Sequence, residues 1–137
     1  MTDIQRAQKL YMDFGAPPPI YKQGVVDSGA FEIDNENEWI LKHEEHGILI
    51  GIARLNPETF AVSELVVHPD YRRSGYGNAL LYACYEKAGA KLNLCVIHDN
   101  TVAIALYDSI PYLTKSKVTD HVSRRDGRKY QLYHYNA

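Results

Sequence analysis

The sequence predicts an α/β (α+β) fold, a mixed and mostly antiparallel central sheet of about six to seven strands with flanking helices. Three observations predict it. Residues 38–69 carry strand-like runs broken by the turn signals "EEHG" and "LNPE", the pattern of a meander. A strand, a glycine loop, a helix and another strand then follow in order, which is a βαβ crossover. The tail places two alternating segments around "RDGR", a hairpin signal. The whole of residues 1–137 reads as one domain, with a short amino-terminal region over about residues 1–38.

The elements follow in chain order. Residues 2–14 form a first helix that the proline run "APPP" closes. Residues 20–38 read as one short strand and a turn. Strands are expected over residues 39–43, 48–54 and 59–67. A helix over residues 75–88 ends at Gly89, with Tyr76, Ala79, Leu80, Ala83 and Cys84 on the face that packs on the sheet. "KLNLCVI" is a strand. "NTVAIALYDSI" is a helix capped by Asp99 or Asn100 and stopped before Pro111.

Composition narrows the class. Hydrophobic residues make up 45% and charged residues 23%, a globular balance. A formal net charge of −2 argues against a nucleic-acid partner, since phosphate neutralisation wants clustered Lys and Arg. No apolar run approaches the roughly 20 residues of a membrane span, and the start lacks a signal peptide's pattern, so no membrane partner is expected. Cys84 and Cys95 lie among apolar neighbours with no metal-ligand spacing. Both are expected as buried thiols in a reduced, cytoplasmic setting, and the scattered histidines give no metal site.

The stretch "HPDYRRSGYGNALLYACYEKAG" sets two arginines, a serine and two close glycines at the mouth of a helix. The first N–H groups of a helix have no partner within it, and its dipole adds partial positive charge there. Glycines let the backbone approach an oxyanion. The loop is therefore an anion site, and its expected ligand carries phosphate or pyrophosphate. "GYG" lacks the third glycine of a dinucleotide fingerprint and the Gly-Lys-Ser/Thr of a P-loop.

Arg72-x-x-Gly75-x-Gly77 resembles the Q/R-x-x-G-x-G/A motif of the GNAT acetyltransferase superfamily. "LVVHPDYR" before it and "NTVAIALY" after it resemble that family's strand-to-loop segment and its N-x-x-A-x-x-L-Y helix. The order of elements agrees over roughly the last hundred residues. The resemblance implies acetyl-CoA as co-substrate. It implies a sheet splayed between the family's fourth and fifth strands, at a bulge near Leu65, Val66 and Val67, with the pantetheine arm in the gap. Arg72, Arg73, Ser74, Gly75, Tyr76, Gly77 and Asn78 would hold the pyrophosphate, and Asn100 would touch the pantetheine or cap its helix. Transfer would be direct, without a covalent enzyme intermediate.

Two residues are candidates for the chemistry. The resemblance places Tyr107 beside the CoA sulfur as general acid; its alternative is a tyrosine packed on the sheet. Glu64, in "AVSELVV", is the candidate base, because burial raises a carboxylate's pKa. Its alternative is an ion pair with Arg54 on the adjacent strand. Some family members carry a glutamate where this chain has Cys95, and a water held by Ser63 is another route. His68 reads as a structural turn residue. Pro111 replaces a family glycine, so the helix exit there must differ.

The expected partner is a primary amine, on a small molecule or a protein, and a homodimer stays open. Residues 31–47 hold six acids against one Lys, and residues 114–130 hold six Lys and Arg against two Asp. An acidic rim would attract a cationic amine; a basic hairpin would suit RNA or an acidic protein. The expected function is acetyl-CoA-dependent N-acetyl transfer. The alternatives are a non-enzymatic acyl-CoA-binding module and a toxin acting on aminoacyl-tRNA, which the near-neutral charge argues against.

Overall fold

Thr2 starts the first helix, α1 (Asp3–Phe14): its Oγ1 accepts the Gln5 N–H at 3.1 Å, and Gln5 Oε1 accepts the Thr2 N–H at 2.9 Å. That reciprocal pair satisfies two donors a helix start leaves open. The computed structural model describes residues 1–34 and 39–137 of the chain. A second helix, α2 (Pro19–Asp27), and a 3₁₀ turn (Ala30–Asp34) follow where a short strand and turn were expected. Pro19 explains the difference. Proline stops a helix from within but suits its first position, where no N–H is needed. The end of the stretch read as strand and turn, residues 35–38, lies outside the described residues.

Among the described residues the sheet has six strands: β1 (Ile40–Glu45), β2 (Ile48–Leu55), β3 (Ala61–Val67), β4 (Asn93–Ile97), β5 (Thr114–Val122) and β6 (Lys129–Asn136). Their order is β1-β2-β3-β4-β6-β5, and only β3 and β4 run parallel. The mixed sheet, the meander and the tail hairpin stand as expected. Between β3 and β4 lies α3 (Tyr76–Ala88), and between β4 and β5 lies α4 (Thr101–Asp108).

Each face of the sheet buries its own core. One core gathers Val62, Leu94 and Tyr135 with Leu80, Leu81 and Cys84 of α3 and Tyr107 of α4. The other sets Ala7, Leu10 and Tyr11 of α1 against Ile52 and Val66. Burial of apolar area is the main force holding both. The α3 face differs from expectation: Leu81 is buried and Ala79 exposed, because Leu80, Leu81 and Cys84 lie on the inner stripe. Lys22 of α2 is buried yet paid for in hydrogen bonds, its Nζ donating to the carbonyls of Met12 at 2.7 Å and Gly15 at 3.1 Å. It thereby fastens the end of α1 to α2.

Gly51 on β2 marks the tightest contact beneath α3. A Cβ there would lie 2.8 Å from Leu80 Cδ1 and 3.0 Å from the Val66 carbonyl oxygen. Only glycine lets the helix sit this close to the strand.

Candidate active site

Strands β3 and β4 pair for two positions and then part. Ala61 faces Asn93 and Val62 faces Leu94, and the ladder goes no further. The cause sits on β3. Its register against β2 passes from Arg54↔Ser63 to Ile52↔Val66, so Glu64 and Leu65 together oppose Ala53. Glu64 takes a left-handed φ of 51° to fit. One extra residue bends the strand and increases its twist, which is what a β-bulge does. The opening lies between the third and fourth strands here, since three strands precede it.

The bulge leaves strand edge facing the opening. The His68 N–H donates to the Ile50 carbonyl on β2 at 2.6 Å, so alternate peptide groups before it turn the other way. The carbonyls of Leu65 and Val67 and the N–H of Val67 therefore face the gap. Val66 pairs with Ile52 and buries its side chain, so it holds the strand without offering an edge. Arg72 folds back, its Nε donating to the Val67 carbonyl at 3.1 Å.

Beyond β3 the chain turns through a 3₁₀ turn (Pro69–Tyr71) into the glycine loop. His68 is structural, as expected: its Nδ1 accepts the Asp70 N–H at 3.2 Å, and its ring packs on Phe14 and Tyr71. Arg73 at φ 66° and Gly75 at φ 84° wind the loop onto α3. Among the described residues no acceptor meets the N–H groups of Arg73, Ser74, Gly75, Tyr76, Gly77 or Asn78. Six amides and the exposed Arg73 thus lie at a helix mouth, an arrangement that suits a pyrophosphate. Gly77 lets α4 approach: a Cβ there would lie 3.1 Å from Leu106 Cδ2. Tyr76 is tied outward, its hydroxyl donating to Glu45 Oε1 at 3.2 Å.

Tyr107 lies in the core beneath the sheet, edge-on to Tyr135 with ring centroids 5.5 Å apart. Its ring is buried; its hydroxyl bonds no described group and is not among the fully buried polar atoms, so it reaches solvent. Burial, with smaller contributions from Cys95 and Cys84, pushes its pKa up to about 12. The phenol thus keeps its proton at neutral pH, as an acid must. Asn100 caps α4, its Oδ1 accepting the Ala103 N–H at 3.2 Å. Ser109 ends the helix by donating its hydroxyl to the Leu106 carbonyl at 2.6 Å, which is how the chain exits before Pro111.

Glu64 is engaged. Its Oε2 accepts Arg54 Nε at 2.6 Å and Ser63 Oγ at 2.5 Å, and the pair is largely buried. The ion pair weighed as its alternative role is therefore present. Cys84 is buried as expected, but Cys95 is exposed. Leu94 and Val96 take the inward face of β4, so strand alternation turns Cys95 outward to the α1 and α2 side.

Two acids of the acidic run are engaged within the fold. Glu44 pairs with Arg6 of α1 at 2.6 Å, and Glu45 holds Tyr76. The basic hairpin turn instead docks on α2. Tyr21 Oη lies 3.2 Å from Ser123 Oγ and donates to Asp126 at 3.3 Å, and Arg125 lies over the Tyr21 ring. Sequence reasoning missed this contact because it read no helix at residues 19–27.

Comparison with known proteins agrees with this geometry. The family model described as Acetyltransferase (GNAT) family matches residues 3–110. An acetyltransferase of Yersinia pestis is 30% identical over 93 residues, covering 64% of this chain and 66% of its own length, just under two thirds. A mycothiol acetyltransferase of Kineococcus radiotolerans is 41% identical over 63 residues, or 42% of this chain and 20% of its own. The ribosomal-protein-alanine N-acetyltransferase of Brucella melitensis superposes with TM-score 0.72 at 21% identity, over 98% of this chain and 93% of its own. The yncA structure from Salmonella typhimurium with its cofactor acetyl-CoA gives TM-score 0.68 at 18% identity, over 98% and 84%. At such identities the structures show a shared fold.

Proposed function

Because this chain belongs to the GNAT acetyltransferase family, we propose that it is an acetyl-CoA-dependent N-acetyltransferase acting on a primary amine. The observation that carries the reading is the splayed β3/β4 pair, with unpaired strand edge and the open amides of the glycine loop at one end. Bound there, acetyl-CoA supplies an activated acetyl thioester. The loop amides and the Arg73 guanidinium bind the pyrophosphate, and Leu65 and Val67 pair with the amides of the pantetheine arm. Tyr107 holds a proton for the departing sulfur. Fixing both reactants in line supplies much of the rate.

The acceptor class stays broad. The α2–hairpin contact roofs the α1 and α2 side of the sheet, where Cys95 and Glu64 face, and an amine would reach the thioester there. Relatives described as ribosomal-protein-alanine and mycothiol acetyltransferases accord with either a protein or a small-molecule amine. The engaged Glu64 keeps a second reading in view, a module that binds acyl-CoA without turnover.

One assay separates the two. Purified protein is given acetyl-CoA with spermidine, free lysine or a peptide with an amino-terminal alanine, and CoA thiol release is followed. The enzyme reading expects one of these amines to raise release above the slower rate with acetyl-CoA and water alone. Binding of acetyl-CoA with no release above the protein-free rate, with or without amine, would favour the module.

A further inference from the structure

Amine attack on a thioester needs a group to take the nitrogen's proton, and the expected carboxylate is occupied by Arg54 and Ser63. Cys95 is a poor substitute, since burial of its surroundings raises its thiol above the ordinary value. The register of β4 and β6 places a better group beside it. Cys95 is paired with His134, so both side chains stand on the same face of the sheet, with Cβ atoms about 5 Å apart as in any directly opposed pair. His134 Nε2 lies 2.8 Å from Thr119 Oγ1, and the same oxygen lies 2.6 Å from His121 Nε2. One hydroxyl thus joins two imidazoles in a continuous hydrogen-bonded chain. His121 lines a cavity of about 490 Å³ with His98, Tyr130 and Gln131.

We infer that His134 is the proton acceptor for the attacking amine and that Thr119 and His121 carry that proton onward to the cavity. The assignment rests on the acetyltransferase reading. The Thr119 hydroxyl has one proton, so it donates to one imidazole and accepts from the other. The productive direction has His134 Nε2–H donating to Thr119 and Thr119 donating to His121 Nε2. His134 Nδ1 then keeps its lone pair, and among the described residues no hydrogen bond reaches it.

The step balances. The amine nitrogen bonds the acetyl carbon and loses a proton to His134 Nδ1. The carbon–sulfur bond breaks, its electron pair goes to sulfur, and Tyr107 protonates the thiolate and regains its proton from water at its solvent-reaching hydroxyl. His134 then passes its Nε2 proton to Thr119, which passes its own to His121. The groups facing His134 are Cys95 from β4 and Lys117, Thr119 and His121 from β5. Desolvation first, then the charges of Lys117 and His121, lower the His134 pKa, so the ring is neutral and able to accept at neutral pH.

The test uses acetyl-CoA alone, with water as acceptor, because water requires the same base and does not ionise across the working range. Calorimetry on the same samples measures acetyl-CoA binding. His134→Gln is expected to cut thiol release about 100-fold with binding unchanged, and added imidazole restores part of it. Wild type should lose rate on acidification with a midpoint below the ordinary histidine value, and the variant should lack that limb. Unchanged release, an unchanged acid limb, or wild-type protein that turns over an amine yet releases no thiol in water would overturn the assignment. Should His134→Gln fail to fold, Thr119→Val decides: an acid limb identical to wild type overturns the relay. Wild-type protein that does not bind acetyl-CoA, or that binds it and releases no thiol with or without amine, fails the acetyltransferase reading itself, a different result.

Discussion

Tyr107→Phe lowers thiol release in the presence of an accepted amine by about 100-fold, and leaves acetyl-CoA affinity and stability nearly unchanged. The ring, which does the packing against Tyr135, is retained; only a hydroxyl without a described partner is lost. Steady-state kinetics beside urea denaturation measures the two effects separately. The pH dependence has a definite sign. With its pKa raised to about 12, Tyr107 remains an acid through the neutral and mildly alkaline range, so it contributes no alkaline loss of turnover there. Below the unfolded tyrosine's value both states are protonated and the full stability is kept; as pH rises from there through about 12 the unfolded phenol ionises first and stability falls. Turnover unchanged in the phenylalanine variant would leave Tyr107 as a core residue alone.

Arg54→Met costs about 3–5 kcal/mol of stability, read as a fall in the urea midpoint. Arg54 and Glu64 meet at 2.6 Å with side chains only 14% and 9% exposed, so removing the cation strands a buried carboxylate on one serine hydroxyl. Replacing both, Arg54→Met with Glu64→Leu, should recover most of the loss, because the buried charge leaves with its partner. A single variant as stable as wild type would show that Glu64 does not depend on Arg54. The bulge gives the pair its place: Glu64 sits at positive φ where β3 bends, and the ion pair holds that bend to β2.

Much of the fold was legible because its signals are local. Gly89 ends α3 through a left-handed φ of 58°, and Asn100 caps α4, both readable from residue type and position. The "RDGR" turn and the alternation around it defined the hairpin. The α2 helix was not legible: Val25 and Val26 favour strands, and the helix they occupy is held by burial beside α1, a tertiary effect. The exposure of Cys95 was hidden for a related reason. Apolar neighbours suggested burial, but strand alternation turns Cys95 away from the core that takes Leu94 and Val96, and which face is covered depends on distant elements.

The site divided the same way. The glycine loop was readable from residue type and order as an anion site, and Tyr107 became a candidate through the resemblance of its helix to the family's motif. Glu64 was legible with both of its readings, and the distance to Arg54 was needed to see that the ion pair is present. His134 carried no motif. Its neighbours Cys95, Thr119 and His121 come from two other strands, and only the register brings them together.

The measurement that tests the central claim most directly is calorimetric titration of acetyl-CoA into wild type and Ser74→Glu. Ser74 is exposed in the loop, so a carboxylate there should meet the pyrophosphate without disturbing packing. Gly77 is the poorer choice, since its Cβ would press on Leu106. The account predicts saturable binding by wild type and at least about a tenfold weaker affinity in the variant, from like charges brought close together. Binding of equal strength in both proteins, or none by well-folded wild type, would contradict it.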